Sequence, residues 1–319
     1  MKHIFILNPV AGKAKKLHLF EEKLREIATS KGVTYEIYHT SDVGDASCFV
    51  RERATAERDE AFRFYACGGD GTVNEVVSGA VGCENAEVAI VPIGSGNDFV
   101  RVHGKNEEFL DVAAQIDAEA RPCDVIRWND KYCINMINVG FDGDVAARAA
   151  EARGRVPAKL AYIYGVMVEF FRMNTAKFRL SIDGVDMGAR QVQLSFYANG
   201  SFCGGGFRAA PYADLHDGLM DVCFVSPVSR FTLLRVIGSY RKGTHLLDEK
   251  FLKYFDYYKC TDIQLDFDKP QRVCVDGEIE LCESLHLSVI PDAVRIVLPK
   301  NAVSPYAKIP ETSHIKMPV

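Results

Sequence analysis

The chain has no C-x-x-C pair: its ten cysteines are spread so widely that no two lie closer than eight residues. That spacing argues against zinc-ribbon or dithiol redox chemistry. Cys133, Cys223 and Cys274 fall in apolar strands, where a reduced thiol acts as a small hydrophobe in a reducing cytosol. Positive charge is not in excess either. A net charge of −5 argues against nucleic acid as a partner and confines any membrane contact to a local patch. No stretch approaches the about 18 apolar residues of a membrane span. The opening apolar run, which ends at Asn8-Pro9, is too short for a signal peptide. A cytoplasmic protein, with at most peripheral membrane contact, is the expectation. Internal repeats and low-complexity tracts are missing. What remains is an ordinary globular composition, 48% hydrophobic and 25% charged over 319 residues, enough for two domains with proper cores.

The common phosphate-binding motifs are absent too. Gly12-Lys13 is followed by Ala14, so there is no Walker A sequence, and neither Gly69-Asp70-Gly71 nor Gly94-Ser95-Gly96 has the third glycine of a dinucleotide fingerprint. In their place stands Cys67-Gly-Gly-Asp-Gly-Thr-Val-Asn-Glu75, set between a strand, Phe62–Ala66, and a helix expected to start at Thr72 with Glu75 as capping-box partner. A glycine-rich turn feeding a helix N-terminus lets backbone amides approach an anion. A carboxylate among those glycines repels phosphate unless a cation lies between, so Asp70 points to a magnesium-dependent phosphate site.

Residues 1–124 alternate strands (His3–Leu7, Thr34–His39, Phe62–Ala66, Glu87–Pro92) with helices (Lys16–Ser30, Gly44–Ala56, Thr72–Val81, Glu107–Ala118). This pattern predicts an α/β domain with an open parallel sheet. The loops at Asn8, Cys67 and Ile93 all follow strands, on the edge where such sheets bind ligands. Beyond Asp124 the texture becomes that of a mostly antiparallel β-sandwich domain, residues 125–292. Its strands are Val125–Trp128, Tyr132–Val139, Phe178–Ile182, Arg190–Ala198, Leu219–Val225, Cys260–Phe267 and Arg272–Val275, and two helices, Pro157–Arg172 and Arg230–Tyr240, interrupt them. Asp276-Gly277 between apolar strands is a strong type I′ hairpin signal. Leu160–Phe171 is apolar nearly all round, which fits a buried helix or a lipid-facing wall. Residues 293–319 form a C-terminal segment whose prolines after Pro299 read as loop.

The Gly-Gly-Asp-Gly-Thr-x-Asn-Glu sequence resembles the nucleotide-binding signature of the diacylglycerol kinase and sphingosine kinase superfamily, including its bacterial lipid kinases. Four further segments match in order: Asn8-Pro-Val-Ala-Gly-Lys13, Gly94-Ser-Gly-Asn-Asp98, Gly204-Gly-Gly206 with Asp217-Gly-Leu-Met-Asp221, and Asp276-Gly277-Glu278. The resemblance covers residues 1 to about 298. It implies an ATP- and Mg²⁺-dependent kinase acting on a lipid hydroxyl at a membrane surface, diacylglycerol above other alcohols. It assigns nucleotide contacts to Asn8, Pro9, Gly12, Lys13, Thr40, Gly68, Gly69, Asp70, Gly71, Thr72, Asn74, Glu75, Gly94, Ser95 and Asn97. It gathers Asp70, Asp98 and Asp124 around the catalytic magnesium, and gives Asp214, Asp217 and the Leu219 carbonyl a structural magnesium. The proton acceptor is Glu278 or Asp276, a choice the sequence leaves open. Also open are an NAD kinase-like enzyme, a non-catalytic nucleotide- or lipid-binding regulator, and the oligomeric state, a homodimer included.

Overall fold

The computed structural model describes residues 1–9, 14–152, 158–304 and 315–316. Gly12, Lys13, Pro157 and the tail prolines 305, 310 and 318 lie outside the described residues. The chain divides into two compact units, Met1–Val125 with a segment returning from Pro291, and Ile126–Ile290 with the last residues.

In the first unit β1 (Lys2–Leu7), α1 (Ala14–Ser30), β2 (Tyr35–His39), α2 (Asp45–Ala56), β3 (Phe62–Gly68), α3 (Asp70–Ala80) and β4 (Ala86–Pro92) alternate along the chain. β1 pairs in parallel with β2 and β3, and β3 with β4. β1, β3 and β4 are apolar runs buried on both faces, as a helix-covered parallel sheet requires, whereas the edge strand β2 is only half-buried. One face packs Phe5, Leu7, Tyr65, Cys67, Ala89 and Val91 against Leu24 and Ala28 of α1. The expected helix over 107–118 is two short pieces, because the Asp111 side chain caps a new start by accepting from Ala114 N at 2.9 Å. With α4 (Val100–His103), these pieces are α5 (Asn106–Phe109) and α6 (Val112–Ile116). Asp124, at the expected domain boundary, lies inside β5 (Glu119–Trp128).

The second unit is mainly antiparallel. It contains β6 (Lys131–Cys133), β7 (Met136–Gly140), α7 (Phe141–Ala152), α8 (Ala158–Arg172), β8 (Ala176–Ile182), β9 (Val185–Val192), β10 (Leu194–Ala198) and β11 (Met220–Val225). There follow α9 (Arg230–Lys242), α10 (Glu249–Leu252), β12 (Phe255–Cys260), β13 (Asp262–Val275), β14 (Glu278–Leu298) and β15 (Ile315–Lys316). β13 carries an irregularity between Asp266 and Gln271. Ahead of it the strand pairs with β8, and beyond it with β7. One long strand thereby serves both layers of a sandwich. Alternate residues sort to the two sides: Tyr197, Val222 and Phe224 fill the core between layers. Phe196, Cys223 and Val225 meet Val236 and Tyr240 of α9. The end of β14 returns to the first unit, where Arg295 and Ile296 pair in parallel with Glu87 and Val88 of β4. All ten cysteines are free thiols, six of them buried. Among the described residues no helix is long and apolar enough to cross a membrane.

Candidate active site

The carboxyl ends of β1 to β4 carry Asn8, Thr40, the Gly68–Gly71 turn and the Gly94–Asp98 loop. Backbone bonds tie them in series. Asn8 N donates to Cys67 O, Thr40 N to Leu7 O, and both Ile93 N and Gly94 N to Gly68 O. At Gly69 and Gly94 the two glycine loops meet main chain to main chain. A Cβ placed on Gly94 would lie 2.4 Å from Gly69 Cα, and one on Gly96 would lie 2.6 Å from Asp70 Oδ2. Side chains are thus excluded where the loops meet, and the gap at Gly96 is filled by the Asp70 carboxylate. Asp70 Oδ1 accepts from Phe99 N at 3.3 Å, fixing that carboxylate to the second loop.

The helix start differs from the expectation. α3 begins at Asp70 with Gly69 as its extended N-cap, and no side chain caps it. Thr72 lies within the first turn, buried, with Asn8 Nδ2 donating to its hydroxyl at 3.3 Å. Glu75 does not close a capping box on its own helix; its Oε2 accepts from Ala46 N in the first turn of α2, whose own N-cap is Gly44. Asn74 stands on the same turn of α3 as Glu75, and Pro9 and Ser95 are exposed at the loop rim. Asn97 adopts a left-handed φ of 56° and donates to Pro92 O and Gly94 O, which pins the second loop.

The three acids expected around one cation each have a different protein partner. Asp98 is held by Arg101 Nε at 3.2 Å, and Asp124 accepts from Asp292 N at 2.9 Å. Among the described residues no group of three or more His, Cys, Asp or Glu could hold a metal. Asp70 belongs to the first glycine loop and is bonded to Phe99 N just after the second. Arg101, which the motif reading missed, also donates to Gly96 O at 3.2 Å. Its signal in the sequence is the i+3 spacing from Asp98.

Asp276 and Gly277 both have positive φ, 46° and 94°, and pair Val275 with Glu278 across the turn from β13 to β14. The two acids of this turn have different surroundings. Asp276 is buried and accepts from Ile134 N, Asn135 N and Met136 N at 2.9, 3.1 and 2.9 Å, and from Cys133 Sγ at 3.2 Å. Those bonds explain why the expected strand over 132–139 is interrupted at Ile134-Asn135. Burial, then the Asp276 charge, pushes the Cys133 thiol well up. Glu278 is exposed at the start of β14. The remaining expected metal residues, Asp214, Asp217 and Leu219, share a loop ahead of β11. There Leu219 N donates to Asp217 Oδ1 at 3.0 Å and His216 N to Asp214 Oδ1 at 3.2 Å.

Residues 2–128 match the model of the diacylglycerol kinase catalytic domain, and residues 135–298 that of the YegS C-terminal NAD kinase beta sandwich-like domain. This chain belongs to the YegS and diacylglycerol kinase family. Its relatives include a Pseudomonas aeruginosa PAO1 protein named "Probable lipid kinase YegS-like", 30% identical over 82% of this chain and 84% of that one. A Bacillus subtilis protein named diacylglycerol kinase is 26% identical over 86% of this chain and 88% of its own length. The fold is shared with a diacylglycerol kinase crystal structure from Bacillus anthracis strain Sterne, at TM-score 0.68 and 21% identity, covering 95% of this chain and 98% of that one. The YegS and diacylglycerol kinase family is one of phosphotransferases. The family resemblance and the fold class read from the motifs both hold.

Proposed function

We propose that this protein transfers the γ-phosphoryl group of ATP to the hydroxyl of a membrane lipid, with diacylglycerol as the acceptor. The observation that carries the reading is the main-chain contact between the Gly69 and Gly94 loops, with Asp70 fixed across it. Backbone amides at the start of α3 and along those loops suit phosphate oxygens, and the helix dipole favours negative charge there. Magnesium, when bound, neutralises charge on the transferring phosphoryl group, and Asp70 is the residue of this chain that would hold it. For the proton of the lipid hydroxyl we assign Glu278. The Asp276 oxygens already serve four donors and shape the turn on which Glu278 is carried.

Lipid as the acceptor class is supported by α8, whose faces are inverted relative to an ordinary core helix. Its buried side is small or charged: Ala161, Gly165 against Val145 O, and Glu169, which pairs with Arg148 at 3.2 Å. Its bulky side chains, Leu160, Ile163, Tyr164, Met167 and Phe171, are exposed at helical spacing. Phe231 and Leu234 of α9 continue the apolar surface, and Arg230 links the helices by donating to Phe170 O and Phe171 O at 3.1 and 2.5 Å. α9 carries Arg230, Arg235, Arg241 and Lys242 and no acid. An apolar face edged with basic residues fits an anionic lipid surface.

The test is labelled ATP with a panel of mixed micelles holding diacylglycerol, phosphatidylglycerol, undecaprenol or a sphingoid base, alongside NAD. A labelled, chloroform-extractable product with diacylglycerol is expected. Label appearing on NAD, or ATP binding with no transfer to any lipid, overturns the reading.

A further inference from the structure

The Tyr212–Asp221 loop gathers oxygens from residues scattered along it. Gly218, at φ 71°, turns the chain so that Asp217 Oδ1 takes the Leu219 amide, and Asp221 opens onto β11 fully buried. The antiparallel register of β11 with β12 sets Asp221 directly opposite Lys259. From there the Lys259 ammonium reaches Asp217 Oδ2 at 2.9 Å, Tyr212 O at 3.2 Å and Asp221 Oδ2 at 3.8 Å. Lys259 is only 7% exposed. The other oxygen of Asp221 accepts from Tyr257 OH at 2.7 Å.

We infer that the Lys259 ammonium is the resident cation of this loop and takes over the work that the family resemblance gives to a structural magnesium. Magnesium demands oxygens at about 2.1 Å in octahedral array. Here the Asp217 oxygen it would use already holds an ammonium, and a divalent ion placed beside that ammonium would meet a like charge. The acceptors, two carboxylates and one carbonyl, fit a point charge with three hydrogens, which the sheet register delivers on the Lys259 side chain. The loop is therefore held by a covalently attached cation and is indifferent to metal. This inference is independent of the kinase reading, and its readout needs neither nucleotide nor lipid.

Thermal unfolding of the full chain with EDTA and with millimolar MgCl₂ tests it. The melting temperature should agree within about a degree between the two conditions, since this loop offers the ion no site and no nucleotide is present to recruit it at Asp70. Lys259→Met should lower it by roughly 5–10 °C, the effect of stripping one partner from a buried pair. That variant should then gain several degrees on adding Mg²⁺, because the vacated carboxylates become a cation site. Lys259→Arg should stay insensitive to Mg²⁺. If Lys259→Met does not fold, the wild-type comparison still decides. A Mg²⁺-dependent rise in the wild type that disappears in Asp217→Asn overturns the inference, as does Lys259→Met melting like the wild type. A rise that persists in Asp217→Asn and disappears in Asp70→Asn places the ion at the glycine loops and supports it.

Discussion

Where the loops after β3 and β4 meet, the contact is backbone on backbone: a single methyl on Gly94 would come within 2.4 Å of Gly69 Cα. In the loop before β11 the contact is charge on charge, with Lys259 Nζ 2.9 Å from Asp217. The first arrangement has no room for volume, and the second has no tolerance for a missing charge. Amides presented by glycines can receive a ligand's phosphates and release them. An ammonium on a side chain stays in place, so its loop is a fixed part of the fold. The two should therefore fail differently when perturbed.

Adding volume at the first region should damage activity and stability together. Gly94→Ala should cut lipid phosphorylation by about 10²-fold or more, because it displaces the phosphate-facing loops by an ångström or so. It should also cost about 1–3 kcal/mol of stability from backbone overlap. Turnover at saturating ATP and a denaturant titration check both. Near-normal turnover would mean that these loops do not position the reacting phosphate.

The next comparison separates the two acids of the Asp276-Gly277-Glu278 turn. Glu278→Gln should lower kcat by about 10²–10⁴-fold, with ATP affinity and melting temperature close to the wild type. Asp276→Asn should act chiefly on stability, by about 1–3 kcal/mol, because an amide turned toward the amides of Ile134, Asn135 and Met136 leaves donors unsatisfied. Reversal of that pattern, with Asp276→Asn stable and inactive and Glu278→Gln active, would exchange their roles.

What could be read beforehand follows from distance along the chain. The alternation of strands and helices, the Asp-Gly hairpin and the glycine turns are local properties of a few consecutive residues, so the fold class and the positions of the glycine loops were legible. The partners of the acids were not. Glu75 serves Ala46, Asp276 serves residues some 140 positions earlier, and Asp217 meets a lysine on another strand. These pairings exist only once β13 and β12 are registered against their neighbours, and no short window of sequence carries that register. α7 was missed because its alanines and paired acids, Asp142 and Asp144, signal a helix without a strong apolar stripe. β12 was missed because its two tyrosines are followed by Lys259, a charge that suggests solvent and is in fact buried.

Among the described residues, each unit also holds a buried histidine that extends the contrast to acid. Burial, with the Arg63 charge adding to it, pulls His3 of β1 down to about 4. Burial pulls His245, packed edge-on to Tyr240 and tilted against Phe255, down to about 3. Both are neutral in the folded protein and titrate near 6.5 when unfolded. Their contribution is therefore full above pH 6.5 and is lost as the pH falls from there through about 4 and then 3, because the unfolded chain binds protons first. Denaturant midpoints should decline steadily from pH 6.5 to 4. His245→Phe, which keeps the ring contacts, should flatten that decline, and an unchanged slope in this variant would assign the acid sensitivity elsewhere.

The smallest expected effect is the sharpest control on the glycine argument. Gly238 lies on the exposed side of α9, with φ outside the left-handed region and no atom within 4 Å of the place a Cβ would take. Alanine there removes backbone freedom from the unfolded chain and meets nothing, so Gly238→Ala should raise stability by about 0.5–1 kcal/mol, or roughly 1–3 °C. The same substitution thus has opposite signs at two glycines, damaging at Gly94 and favourable at Gly238. Because Gly238 lies on the helix that carries Phe231 and Leu234, its variant also probes the apolar face. Vesicle binding that stays normal in Gly238→Ala, while Phe231→Ser weakens it, would separate lipid contact by side chains from the backbone of α9. If Gly238→Ala were as harmful as Gly94→Ala, crowding at the glycine loops could not be what makes Gly94 sensitive.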